Sequence, residues 1–488
     1  MRKLLLILLL PITLLSGCAT NPVTGNQDLV FMSEQDEISL GKQANQQVLQ
    51  EYDIYNDLEL QNYVQYVGSK VAAKSHRPNL DYQFTVVDSP EVNAFALPGG
   101  YIYITRGLMA YLNSEAELAA VLGHEVGHVT ARHAVRQQSA TQLASLGAAI
   151  GAAFIPGLNN MGGQQLTGML GSALLSGYGR EHELEADKLG AEYLARAGYN
   201  PDAMLDTIRI LKNQELFELK LAKAEGRQPH IYHGLFASHP DNDTRLKEVI
   251  ANAHNVTPVE SALDGRTEYL QRIDGLTFGE GTAQGIVRGR DFYHGNLEFA
   301  LRFPAQWEIR NTPNALFAIA PNSNAMMQLA AGPGDPQLSP RDYMRKRLSL
   351  SQLSNESDLK IHGLPAHTAT TVVNTPNGQR LARITVIYHN NLAFVLVGLT
   401  KTSSAIGQYD GTFLEATRSF RPLTPAEKAV ATRSQHLRLM RADETTDIDK
   451  LAAQTPIEKF PEQQLRLLNA LYPTGNPKAG ELIKTVEE

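Results

Sequence analysis

The sequence predicts an α+β multidomain protein: a mainly helical N-terminal domain with a small edge sheet, then an α+β domain on an antiparallel sheet, then a small C-terminal helical or αβ module. Three observations carry that expectation. Through the first half apolar residues recur at helical spacing, as in Leu118, Val121, Leu122 and Val129. Beyond Arg288-Gly289-Arg290 they alternate instead, as in Leu297, Phe299, Leu301 and Phe303. A length of 488 residues exceeds what one ordinary core organises. The changes of pattern divide the chain into residues 1–17, 18–255, a connecting segment 256–286, an α+β domain 287–423 and a module 424–488.

The first segment reads as a leader. Met1-Arg2-Lys3 is a positive start, Leu4 to Leu15 is an apolar run too short to span a bilayer, and Leu15-Ser16-Gly17-Cys18 resembles a bacterial lipobox. Cleavage there makes Cys18 an acylated first residue, and two or more acyl chains hold a protein stably on a membrane. Ala19 follows Cys18 where an Asp would resemble an inner-membrane retention signal, so the expected address is the periplasmic face of the outer membrane of a Gram-negative bacterium. Cys18 is the only cysteine, which rules out an intrachain disulfide even in an oxidising compartment. The net charge of −7 argues against general nucleic-acid or anionic-membrane binding.

Within residues 18–255, Asn93-Ala94-Phe95-Ala96-Leu97-Pro98-Gly99-Gly100 leads into Tyr101 to Thr105, a β-prone run after a Gly-Gly turn. An edge strand here, with Asn93, Gly99, Gly100, Tyr101 and Ile102 beside it, would pair with an extended substrate backbone. Ser114 with Glu117 three residues on then reads as a capping box that starts a helix.

That helix carries His124-Glu125-Val126-Gly127-His128. Residues four apart share a helix face, so both imidazoles reach one metal ion while Glu125 stands beside the open coordination position, an arrangement suited to activating water. The third ligand distinguishes the classes of such sites. A histidine six residues on is excluded by Ala134, and a cysteine ligand by the absence of any beyond Cys18. A carboxylate from a later helix remains. Arg180 to about Ala197, ended by Gly198-Tyr199-Asn200-Pro201, is such a helix, with Glu183 and Asp187 on one face. Glu183 is then a metal ligand, and Asp187 accepts a hydrogen bond from a ligand imidazole and fixes its tautomer. His133, His182, His230 and His233 read as surface or supporting residues, His133 lying off the ligand face.

The pattern His-Glu-x-x-His followed by Glu-x-x-x-Asp, on His124, Glu125, His128, Glu183 and Asp187, resembles the metallopeptidase family that includes the CAAX prenyl endopeptidase, the HtpX heat-shock protease and the BepA-type periplasmic proteases. The resemblance covers Asn21 to His254. It implies a zincin-type domain holding one Zn²⁺ per chain, with Glu125 as catalytic base. Ser238-His239-Pro240 and Arg245 resemble the family's Ser-x-His-Pro and following Arg. His239 then either donates to the developing oxyanion or occupies the metal's fourth position and keeps the enzyme latent; the plainer alternative is a helix cap beside Pro240. Residues 147–178 are rich in Gly, Ala and Asn and broken at Pro156-Gly157, too short to cross a bilayer. They form either a lid over the cleft or a helical hairpin completing the core.

In the second domain, Thr371 to Val373 and Leu381 to Tyr388 flank Pro376-Asn377-Gly378 as a hairpin, and Asn390-Asn391 turns the chain into Ala393 to Leu399. Helices are expected near Pro340 to Leu350 and Ala405 to Phe420. The final module reads as Leu437 to Met440 in a strand, helices over Thr446 to Ala453 and Glu462 to Leu471, and Ile483 to Val486 in a strand, a layout that resembles small envelope partner-binding modules. The expected function is a zinc metalloendopeptidase acting on unfolded or misassembled envelope proteins. The alternative is an envelope chaperone or assembly adaptor with a latent metal site.

Overall fold

The computed structural model describes residues 18–30, 32–139, 178–225, 262–312, 315–375 and 378–488. The chain is a mixture of helix and sheet with several antiparallel sheets, and divides into two compact units. The first comprises residues 1–219, 230–278 and 436–487; the second is essentially residues 279–435.

The first unit opens with a hairpin of β1 (Cys18–Thr20) and β2 (Gln27–Leu29). Helix α1 (Glu34–Glu51) follows, started by the Ser33 side chain accepting from the Asp36 N–H. Helix α2 (Leu58–Ala72) starts in the same way from Asp57. Strands β3 (Gln83–Val87), β4 (Ala94–Ala96) and β5 (Tyr101–Thr105) form one sheet in the order β3-β5-β4, parallel between β3 and β5 and antiparallel between β4 and β5. Gly99 and Gly100, at φ +78° and +96°, make the reversal between β4 and β5 that side chains other than glycine resist. Short α3 (Arg106–Tyr111) then leads to α4 (Glu115–Thr130).

Every residue of α4 is buried. A helix enclosed on all faces must satisfy its polar groups inside the protein, and the first turn of α4 does so with side chains. Ser114 caps it by accepting from the Glu117 N–H, as the capping-box reading expects, but the Glu117 carboxylate reaches one residue further back, to the Asn113 N–H. The buried Glu115 carboxylate accepts from the Tyr63 and Tyr199 hydroxyls at 3.0 and 2.7 Å. Helices α5 (Arg180–Arg196), α6 (Ala203–Glu225) and α7 (Arg266–Arg272) and strand β6 (Thr277–Phe278) complete this part of the chain.

The second unit holds β7 (Ile286–Arg288), β8 (Asp291–His294), β9 (Phe299–Arg302), β10 (Glu308–Asn311), β11 (Leu316–Ile319), β12 (Ala325–Pro333), α8 (Pro340–Lys346), β13 (Ser354–Ile361), β14 (Leu364–Thr375), β15 (Gly378–His389), β16 (Leu392–Thr400), α9 (Ile406–Arg418), β17 (Arg421–Pro422) and α10 (Pro425–Ala431). Its main sheet has the order β10-β11-β12-β16-β15-β14-β13, antiparallel throughout, and β17-β9-β8-β7 form a smaller one. The expected hairpin is the β14–β15 pair, in register from Thr375 opposite Gly378 to Ala366 opposite Ile387.

The chain then returns to the first unit. Strand β18 (Gln435–Arg441), α11 (Ile448–Ala452), α12 (Pro461–Leu468) and β19 (Leu482–Glu487) match the strand-helix-helix-strand order read from the sequence, but not as a module of their own. β18 lies between β19 and β6, and the buried Lys484 ammonium donates to the Ala110 and Leu112 carbonyls, both at 2.7 Å. Of the segment expected as a connector, residues 262–278 are likewise part of this unit, with the Tyr269 hydroxyl donating to Met109 O at 2.6 Å. Among the described residues, no helix is long and apolar enough to cross a membrane.

Candidate metal centre

Helices α4 and α5 bring the chemistry together because glycines let them approach. A Cβ on Gly127 would lie 3.0 Å from Ala186 O, and one on Gly190 would lie 3.0 Å from the His124 backbone nitrogen. Close backbone contact puts the α4 face bearing His124 and His128 against the α5 face bearing Glu183 and Asp187. The His124 and His128 Nε2 atoms are 3.0 Å apart, and the Glu183 carboxylate oxygens lie 3.5 Å from the first and 3.4 Å from the second. Donor atoms of these three buried residues all fall within 4.8 Å of one another. Ligands about 2.0 Å from a tetrahedral ion sit roughly 3.3 Å apart, so two imidazoles and a carboxylate at this spacing fit a metal such as zinc.

The surroundings favour a cation. Glu125, Glu183 and Asp187 are each no more than 1% exposed, and a buried cluster of carboxylates calls for positive charge. Burial pulls the His124 imidazole down, yet hydrogen bonds to Asp187 and Glu183 outweigh it and push the group up to about 9. That same negative field would hold a divalent ion.

Each imidazole is braced on its far side. His124 Nδ1 lies 2.9 Å from the Asp187 carboxylate, one turn beyond Glu183. His128 Nδ1 lies 2.8 Å from His133 Nδ1, and His133 Nε2 lies 3.0 Å from Glu185. His133 is wholly buried and stands behind His128, outside the group of three residues that converge. α4 ends at Thr130, and Arg132, at φ +55°, turns the chain so that His133 comes back beneath His128. Helical spacing does not extend past that turn. His182 stacks on His133 at a centroid distance of 4.3 Å, and burial above all pushes it down to about 4. The Tyr178 ring stacks on His128 at 4.1 Å. Burial, then the charges of Glu125 and Glu183, raise the Tyr178 hydroxyl, which stays protonated. Tyr193 turns elsewhere, its hydroxyl meeting Thr130 Oγ1 at 3.0 Å and His76 Nδ1 at 2.8 Å.

The expected edge strand is corrected. β5, with Tyr101 and Ile102, is the middle strand, and Gly99 and Gly100 are buried in the turn against α1 and Asp81. On this side of the sheet the outer strand is β4. Asn93 O accepts from Thr105 N and Leu97 N donates to Tyr101 O, so by alternation the backbone groups of Ala94 and Ala96 face away from β5. Ala96, Leu97 and Pro98 line a small cavity together with His128 and Tyr178. Ser238, His239, Pro240 and Arg245, the leader, His230, His233 and residues 147–177 lie outside the described residues, as does the side chain of Cys18, whose backbone begins β1.

Residues 59–253 match Peptidase family M48. The chain carries an M48 peptidase domain. Relatives agree: the beta-barrel assembly-enhancing protease of Escherichia coli (strain K12) is 28% identical over 247 residues, 49% of this chain and 48% of that protein. The mitochondrial metalloendopeptidase OMA1 of Schizosaccharomyces pombe is 28% identical over 234 residues, 47% of this chain and 64% of that protein. The protein of the same name from Arabidopsis thaliana is 38% identical over 131 residues, 27% of this chain and 26% of that protein. The chain spans about half the length of the beta-barrel assembly-enhancing proteases it matches. The matched range contains all five residues of the centre and ends before residue 279, where the main body of the second unit begins.

Proposed function

We propose that this protein is a zinc metalloendopeptidase of the bacterial envelope, lipid-anchored through Cys18 at the periplasmic face of the outer membrane, that cleaves unfolded or misassembled envelope proteins. The observation that carries this reading is the convergence of His124, His128 and Glu183 on one point, with Glu125 buried on the same helix. His124, His128 and Glu183 would hold Zn²⁺, which when bound supplies Lewis acidity to the scissile carbonyl and lowers the pKa of water. Glu125 takes the proton of the attacking water and passes it to the leaving amine. Asp187 keeps His124 in the tautomer that presents Nε2. The Ala94 and Ala96 edge of β4 pairs with an extended substrate backbone, which selects segments free of their own structure over folded ones. His239, as oxyanion donor or latency switch, belongs to the same proposal, as does partner binding by the second unit and the C-terminal strands.

The deciding experiment is casein cleavage by the full-length chain purified in detergent with zinc, beside Glu125→Gln. Cleavage by the wild type alone, with zinc bound by both, supports the peptidase. Zinc binding without cleavage by either, together with intact client rescue in cells by Glu125→Gln, favours the adaptor.

A further inference from the structure

The two imidazoles of the centre are braced unequally. His124 meets a carboxylate directly, at Asp187. His128 meets another imidazole, His133, at 2.8 Å between Nδ1 atoms, and only beyond it the Glu185 carboxylate. Resting on the reading of His128 as a ligand through Nε2, the proton assignment along this line is forced. His128 carries its proton on Nδ1 and donates to His133; His133 accepts at Nδ1, so its own proton sits on Nε2 and is donated to Glu185. Glu185 also accepts from Arg136 at 2.9 Å, and Arg136 lies 3.6 Å from Asp28 on β2. Asp28 is held in turn by the Asn21 side chain at 2.8 Å. A second tie runs alongside, since Arg132 donates to Met32 O at 3.1 Å and to Glu37 at 2.8 Å.

We propose that Glu185 and Arg136 are positioning residues that set the orientation and tautomer of His128 through His133, and that Asp28 extends this control to the N-terminal hairpin. The line runs from a fully buried imidazole to side chains about a quarter exposed, so a change in the seat of the hairpin is felt at the metal. Supporting partners of ligand histidines typically affect metal affinity by about 10- to 100-fold. The brace of His128 reaches a carboxylate through two joints where that of His124 needs one.

The test measures Zn²⁺ affinity of the full-length chain by competition with a chromogenic chelator, and the visible spectrum of the Co²⁺-loaded form, for the wild type, Glu185→Gln, His133→Gln, Arg136→Gln and Asp28→Asn. Expected are losses of about tenfold or more for Glu185→Gln and His133→Gln, smaller losses of up to about fivefold for Arg136→Gln and Asp28→Asn, and a shifted Co²⁺ spectrum with the melting temperature of the metal-free protein unchanged. Glu185 is partly exposed, so Glu185→Gln remains decisive if His133→Gln fails to fold. A wild type that binds one equivalent of zinc beside a Glu185→Gln variant of equal affinity and identical spectrum overturns the relay. A wild type that binds no zinc overturns the metal reading itself, before any variant is made.

Discussion

Asp187 shows how a candidate metal centre is shaped by a residue outside the three that converge. Its carboxylate sits 2.9 Å from His124 Nδ1, a spacing at which the imidazole donates and its Nε2 is left free to bind. Asp187→Asn is expected to weaken zinc binding by about 10- to 100-fold while leaving the folded metal-free protein intact, which competition titration and thermal melting together would check. The partnership was legible because Glu183 and Asp187 stand four apart on one helix, as do His124 and His128. The partner of His128 was not legible: His133 follows the end of α4, and the left-handed turn at Arg132 places it where no periodic rule applies. Tyr178 against His128 was equally hidden, since stacking between residues fifty apart leaves no local pattern.

Elements, rather than residues, decide whether the two faces meet. α4 and α5 cross at Gly123, Gly127 and Gly190, where added carbons would meet backbone or the Leu194 and Met204 side chains at 2.5 to 3.0 Å. Gly190→Val is expected to cost about 1–3 kcal/mol by overpacking and to weaken zinc binding as well, visible as a lower melting temperature and a weaker metal titration in the same variant. In the sheet, the sequence marked β4 and β5 and the turn between them. It could not show that β3 joins β5 on the other side, which leaves β4 and not β5 as the outer strand, because pairing between strands distant in sequence is set by packing and not by local preference. A third case lies in the second unit. His294 is partly buried beside Phe292 and Phe299, and its Nδ1 accepts from the Leu297 N–H, a bond only the neutral ring can accept. Burial pushes it down to about 4 from an ordinary 6.5. Between those values the unfolded chain takes up a proton that the folded one refuses, so this contribution is complete above about pH 6.5 and is lost as pH falls towards 4. Urea unfolding followed by the fluorescence of Trp307, the chain's only tryptophan, should show that loss, and His294→Gln should flatten it.

At the scale of the whole molecule the strand-helix-helix-strand order of the C-terminal segment was legible from hydrophobic pattern, whereas its destination was not. Lys484 looks like an ordinary charge on a strand. In the structure it is buried and donates to two carbonyls at the turn before α4, while Arg266 joins Asn113 O and Leu482 O at 3.3 and 3.1 Å. A lone buried lysine is costly unless its protons are satisfied, and the carbonyls of Ala110 and Leu112 together with the Glu117 charge offset that cost here. Lys484→Ala is expected to destabilise the first unit by roughly 1–3 kcal/mol through the carbonyls it leaves buried, read by urea unfolding of the full chain. Truncation after Gln435 is expected to abolish zinc binding rather than remove a dispensable module, checked by metal content of the purified product.

The Ala110–Lys484 contact joins residues 374 positions apart. During synthesis, the strands of the second unit therefore all exist before the first unit can acquire β18 and β19. Nascent chains would carry His124, His128 and Glu183 for a long interval in an unfinished enclosure, with the turn that leads into α4 still unpinned. The order of manufacture thus delays full assembly of the centre until most of the polypeptide has been made.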